Sequence, residues 1–316
     1  MAPDVNRLLL GRLPLPPCDG PKIKAFGQFR EEIEFLQLLS CDPTSEESRE
    51  GHGYVFDVRI GKDRFALKIF KFYDPTEARY EITAPIRRKV SDETLTFHSD
   101  PFFAECRAYG RINQYYQGLR DKTKRWPRRS RSRGNRPGAR DVEIRQLAVP
   151  CYGYMTLAAE YEEMFRDRFD IFDWNRSEEE DSGQIAKRPF RCLVKQLISS
   201  QISVSNPRRM LADLKQLRKI GVFPKDIYAR NYKAGLLVDF SVAWTEPHWC
   251  LEVLGPYQRQ NEIKSELSMF DAMIKSEEIK TIVRATRNWK YCEKLRSYDI
   301  TDGMSETSSE WALRLI

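Results

Sequence analysis

The chain has 316 residues, 41% apolar and 31% charged, with a net charge of +7, which suits one two-lobed domain or two small ones around a buried core. No apolar run approaches the roughly 18 residues of a membrane span, and residues 1–24, where Gly11, Arg12 and prolines break the Leu8-Leu9-Leu10 patch, read as a flexible segment without a secretory apolar stretch. Seven scattered cysteines without Cys-x-x-Cys spacing point to reduced intracellular thiols, and His52, His98 and His248, at no metal-ligand spacing, set aside a zinc site and a serine–histidine hydrolase.

In chain order, Gly51-His52-Gly53-Tyr54-Val55-Phe56-Asp57-Val58 and Arg64-Phe65-Ala66-Leu67-Lys68 predict a hairpin turning at Gly61-Lys62-Asp63. Lys68 stands in an apolar stretch, and a Lys in a buried strand needs a charged partner. Glu105 is the candidate, on a helix that Asp100 caps and Pro101 starts. The alternative is a solvent-facing Lys and a surface Glu on an amphipathic helix.

Residues 118–140 hold ten Lys or Arg against Asp121 alone, a balance of +9 that leaves −2 for the rest of the +7 total. This run reads as a disordered insertion, fit to contact nucleic-acid phosphates, to serve as an import signal, or to remain a solvated loop. Glu160 to Asp181 has the opposite sign, with ten acids against three arginines. It reads as a linker where a hinge would lead into the large lobe, either folding back on the basic insertion or simply separating the lobes. Phe165, Phe169, Phe172 and Trp174 within it are either a partner motif or aromatics packed onto the large lobe.

Met210, Leu211, Leu214, Leu217 and Ile220 form an apolar stripe at helical spacing, with Asn206 as cap, Pro207 as first residue and Gly221 as stop. Beyond it come Asp226, Asn231 and, after Leu236-Leu237-Val238, Asp239. Phosphoryl transfer needs a carboxylate to orient a hydroxyl, and an Asn and a second Asp to hold magnesium against phosphates. The competing reading is a β-hairpin with two solvated ends. Tyr257 to Tyr291 predicts two amphipathic helices, one with Ile263, Leu267, Phe270 and Met273, the next with Ile279, Ile282, Val283 and Trp289.

These pieces resemble a protein kinase: a glycine hairpin, a lysine strand, a helix with a glutamate, a catalytic loop at Asp226 to Asn231 and a metal loop at Asp239-Phe240-Ser241. With Ala148-Val149-Pro150-Cys151-Tyr152-Gly153-Tyr154 and Asp226 to Pro247, the chain resembles the fungal kinetochore-subunit family of the Fta-two type, whose members often carry a kinase-like core. The resemblance implies an α+β, two-lobed kinase-like fold with a reduced C-terminal lobe and charged disordered insertions. Its N-lobe spans 25–159, the acidic linker 160–187, the C-lobe 188–296 and a tail 297–316. It implies catalytic roles for Asp226, Lys68, Glu105 and Arg230, ATP binding by Gly51, Gly53, Val55, Ala66 and Lys68, and Mg²⁺ binding by Asn231 and Asp239. It further implies kinetochore-complex partners and a nuclear, centromeric location, with a cytoplasmic one as the alternative.

Several residues depart from an active kinase. Ser48 and Glu50 stand where two glycines belong, Pro224-Lys225 replaces His-Arg, and five residues separate Asp239 from Thr245-Glu246-Pro247. The function is therefore a Mg-ATP phosphotransferase or a nucleotide-binding pseudokinase, or else a non-catalytic kinetochore scaffold acting through its charged insertions.

Overall fold

A computed structural model describes residues 22–40, 51–80, 82, 87, 90–125, 145–200 and 202–286. Most of the N-terminal segment 1–24, Ser48 and Glu50, the basic insertion from 126 onward, Trp289 and the tail 297–316 lie outside the described residues.

Alternating burial builds the first half. Strands β1 (Ile33–Leu38), β2 (Gly53–Ile60), β3 (Asp63–Phe70), β4 (Cys151–Leu157) and β5 (Phe190–Gln196) form one antiparallel sheet in the order β1-β2-β3-β5-β4. Side chains alternate across a strand. Phe65, Leu67 and Ile69 of β3 and Phe190, Cys192 and Val194 of β5 therefore face one cluster, while Phe70 and Leu193 face the other. Helices α1 (Pro75–Tyr80) and α2 (Asp92–Ser99) lead to α3 (Pro101–Arg125), which packs on the second face through Phe102, Cys106, Tyr109, Ile112 and Tyr116. Asp100 caps α3, its carboxylate accepting from the Phe102 amide at 2.9 Å.

The helix is longer than the sequence implies. Residues 118–125, expected in the basic insertion, continue α3.

The segment 160–187 is not a linker. Its helix α4 (Tyr161–Phe169) lies on the first face of the sheet, where Phe165 and Trp174 are buried with Phe35, Phe56 and Phe190, and a short helix α5 (Glu178–Asp181) follows. Burying such a side chain contributes about 1.5–3 kcal/mol, enough to override the solvation of the acids around it. Those acids are partly neutralised in place: Glu180, fully buried, accepts from Arg176 and Arg188. The aromatics thus pack on the small lobe and not the large one, and Phe172 alone of the four is exposed. Because β5 sits between β3 and β4, the boundary expected at 188 falls inside the first lobe, and the chain crosses to the second after Gln196.

The second lobe begins with α6 (Pro207–Lys219), capped by the Asn206 side chain on the Arg209 amide and followed by Gly221 at φ 76°. Short strands β6 (Val222–Phe223) and β9 (Trp244–Thr245) pair, as do β7 (Tyr232–Lys233) and β8 (Leu236–Leu237). Helices α7 (Trp249–Val253), α8 (Pro256–Glu262) and α9 (Ser265–Ser276) complete it. The second helix expected after Ser276 is absent over 277–286. Glu278 takes a left-handed φ of 51°, and the Glu278 and Ile279 amides return to the Lys275 and Ile274 carbonyls, which ends the helix. Ile279 and Val283 still pack on the core, whereas Ile282 is exposed.

The order of a β-hairpin, a lysine strand, a glutamate helix, a capped helix and then two acid-bearing loops makes this a protein-kinase-like α+β fold with a small second lobe. Among the described residues no helix is long and apolar enough to cross a membrane.

Candidate functional site

The register of β3 against β5 sets the site. Lys68 is opposite Leu193, and Lys195 is opposite Ala66, so the two lysines are diagonal neighbours on the face that α3 covers. Two buried ammonium groups so placed need a carboxylate between them. Glu105, fully buried in the middle of the α3 stripe, supplies it: one oxygen accepts from Lys68 at 3.0 Å and the other from Lys195. Lys68 also donates to Asp239 at 2.7 Å, and Lys195 to the Val238 carbonyl at 2.7 Å.

Burial works against the Lys68 ammonium, but Asp239 and Glu105 outweigh it and hold its pKa above the ordinary value. Burial likewise opposes the Asp239 carboxylate, and Lys68 and Lys195 outweigh it, keeping its pKa well below the usual carboxylate range. Lys68 and Asp239 are therefore ionised together. The alternative of a solvent-facing Lys68 is excluded by its 5% side-chain exposure.

A tight hairpin carries the second acid to this cluster. Strands β7 and β8 are joined by Ala234-Gly235, both at positive φ of 50° and 75°, the two-residue turn that matches strand twist. The amides of both turn residues donate to the Ile202 and Ser203 carbonyls, and a Cβ on Gly235 would lie 2.5 Å from the Ser205 carbonyl oxygen. At the hairpin's open end the Val238 amide donates to the Asn231 carbonyl at 2.9 Å, which sets Asp239 one residue from Asn231's partner. The competing hairpin reading was thus right about the hairpin and wrong about its solvated ends.

Asp226 stands beside them. Its carboxylate accepts from the Asn231 side-chain amide at 2.7 Å and from Arg230 at 3.3 Å, and the Arg230 guanidinium lies over the Tyr228 ring. Because the Asn231 amide nitrogen donates to both the carboxylate and the carbonyl of Asp226, its oxygen is the atom left for a cation. A carboxylate and an amide oxygen on one hairpin suit a hard cation such as Mg²⁺. No group of three or more His, Cys, Asp or Glu that could hold a metal occurs among the described residues, so the pair offered here is one carboxylate and one amide oxygen.

The candidate nucleotide wall is present in part. Val55 is opposite Lys68, and Ala66 lies two residues before it, so all three share one face. Gly51 precedes β2 outside the sheet. Gly53 has a structural task of its own: at φ 157° it lies opposite Phe70, and a Cβ there would be 2.9 Å from the Phe70 Cα and closer still to the Ile69 carbonyl oxygen.

Two further groups, Lys195 and the pair Arg107 and Arg111, shape the site without having been singled out in the sequence, and Lys225 stands there only as a departure from the kinase pattern. Lys195 carried the same signal as Lys68, a lysine in an apolar strand, Cys192-Leu193-Val194-Lys195. Arg107 donates to the Thr245 and Pro247 carbonyls and Arg111 to the Glu246 carbonyl, strapping α3 to the end of the short segment after Asp239. No pattern announces bonds from a side chain to distant backbone. Lys225, where a phosphate-reading arginine would stand, is instead tied to Glu262 at 2.6 Å and Ser265 at 2.8 Å, over the Trp244 ring. His248 stacks on Trp244 as a packed aromatic neighbour.

Comparison with known proteins adds a family. The family model described as "Kinetochore Sim4 complex subunit FTA2" matches residues 12–119 and 139–244, more than half of the chain. No curated protein matches. Fifteen chains of known structure match. One, described as "Structure of vaccinia related kinase 3", has a TM-score of 0.31 and 9% identity over 76% of this chain, which spans 56% of that chain's length.

Proposed function

This chain belongs to the kinetochore Sim4 complex subunit FTA2 family, and from that membership and the cleft's geometry we propose a nuclear, centromere-associated kinetochore subunit whose kinase-like cleft binds Mg-ATP. The ion-pair chain from Glu105 through Lys68 to Asp239 carries the reading, because it puts an ammonium, a metal-binding carboxylate and the helix glutamate within direct contact.

In this reading Lys68 turns from Asp239 to the nucleotide phosphates. Glu105 keeps its ammonium aimed. Asp226, held by the Asn231 amide and supported by Arg230, accepts the proton of a substrate hydroxyl. Asp239 and the Asn231 oxygen would hold Mg²⁺, which supplies charge neutralisation at the phosphates. Val55 and Ala66 line the wall beside Lys68. Titration calorimetry with ATP, with and without magnesium, tests this on the wild-type protein and on Lys68→Met and Asp239→Ala. Magnesium-dependent binding lost in both variants supports the site; no binding by wild type at millimolar nucleotide refutes it.

A second reading, a scaffold that contacts kinetochore proteins without catalysis, is favoured by one observation. Arg107 and Arg111 hold the backbone of 245–247 against α3, so the short segment after Asp239 is tied down where a kinase would carry a longer activation segment. In that case the basic insertion carries the contact, to nucleic acid or to an acidic partner. Deleting 126–140, which leaves α3 whole, would then disperse the protein from centromeres while Asp239→Ala would not.

A further inference from the structure

We infer that Lys195 is a positioning residue, a second anchor that holds Glu105 and the Val238 backbone in place whether or not Lys68 is engaged. Its bearing on nucleotide rests on the cleft reading above; its structural part does not.

Glu105 sets the requirement. A fully buried carboxylate with one cationic partner cannot release it, since the uncompensated charge is strongly destabilising. With Lys68 alone, every step that draws Lys68 toward a phosphate would strip Glu105 of its partner. Lys195 removes that conflict, because it pairs with the other Glu105 oxygen and is itself only 6% exposed. Its second bond, to the Val238 carbonyl at 2.7 Å, fixes the residue immediately before Asp239. One ammonium thus joins α3, β5 and the metal loop. The charges balance, with Lys68 and Lys195 against Glu105 and Asp239. When Lys68 and Asp239 are both drawn to a ligand, Glu105 and Lys195 remain a matched pair. The arginine strap from Arg107 to Thr245 and Pro247 acts in the same sense, holding α3 without any loop to switch it. The cleft is therefore assembled before ligand arrives.

Amide hydrogen exchange on the full chain without ligand, comparing wild type, Lys195→Met and Lys68→Met, tests the anchor. Loss of a charged hydrogen-bond pair should speed exchange in 102–109 and 236–241 about tenfold or more in Lys195→Met. Lys68→Met should change those segments by less than about threefold, because Lys195 still holds Glu105. Exchange in α9 should stay as in wild type. Wild-type rates in both segments of Lys195→Met, or equal loosening in the two variants, would overturn the inference. Should Lys195→Met loosen the whole fold, Lys195→Gln keeps a donor without the charge. It should loosen 102–109 and spare 236–241, and no change in either would also overturn the inference. Calorimetry with Mg-ATP separates the two claims. Selective loosening in a protein that binds no nucleotide leaves the anchor standing and removes the cleft reading. Binding by wild type, with Lys195→Met exchanging as wild type, does the reverse.

Discussion

Replacing Glu105 by Gln keeps the volume of the side chain and removes only its charge, so its effect can be worked from the ion pairs. Lys68 and Lys195 are 5% and 6% exposed and Glu105 is fully buried. Lys68 would keep Asp239, but Lys195 would keep the Val238 carbonyl and the Tyr109 ring and no carboxylate in direct contact. A buried charge left without its counter-charge costs about 3–5 kcal/mol. At about 2–4 °C per kcal/mol for a domain of this size, the melting temperature should fall by roughly 10 °C. Urea unfolding and calorimetry measure both quantities. Adding Lys195→Met removes the stranded ammonium, so the double variant should recover about half of the loss or more, a non-additivity expected of groups in contact. A single variant that loses less than about 1 kcal/mol, or a double variant that loses the sum of the two singles, refutes the reasoning.

Phe165→Ala, in the segment that sequence alone presents as a linker, should cost about 3–5 kcal/mol, because the ring is fully buried among Phe35, Phe56 and Trp174; an unchanged urea midpoint would mean the segment does not pack on the sheet. Gly53→Ala should destabilise by about 1–3 kcal/mol through the clash with β3, and lower the urea midpoint even with no nucleotide present. Burial first, and Arg107 beside it, push the His98 pKa down to about 3 from 6.5, and burial with His98 and Arg107 pushes His248 down as well. Both stay neutral in the fold while the unfolded chain takes up protons, so stability is lost as pH falls below 6.5, at about 1.4 kcal/mol per pH unit for each histidine. Urea midpoints at pH 7.0 and 5.5 should show that loss, and His98→Gln should reduce its slope.

Local patterns with a chemical demand were the legible part. The stripe from Met210 to Ile220 with Asn206, Pro207 and Gly221 gave the helix and both its ends, because caps and periodicity are written within a few residues. A lysine in an apolar strand asked for Glu105, and the ion pair is there. The competing hairpin was legible too: Asn231 and Asp239 flank two short strands that a two-residue turn joins. What stayed hidden depends on distant partners. Ten acids between 160 and 181 suggested a solvated linker, since charge is visible in sequence and the burial of Phe165 and Trp174 against β1 and β5 is not. The stripe through Ile279, Ile282 and Val283 has helical spacing, yet the chain there is held by Asp271, whose carboxylate accepts from the Ala285 and Thr286 amides.

The pinned turn at Ala234-Gly235 also bears on how the two lobes can move. The crossing segment is fixed to that turn at Ile202 and Ser203, the arginines of α3 are fixed to 245–247, and Lys195 spans from β5 to Val238. Closure of one lobe on the other would have to stretch or break the bonds from Lys195, Arg107 and Arg111. A ligand binding at these residues would spend little of its binding free energy on ordering the protein. Its affinity would then follow the groups already in place, and its heat of binding would carry little contribution from domain motion.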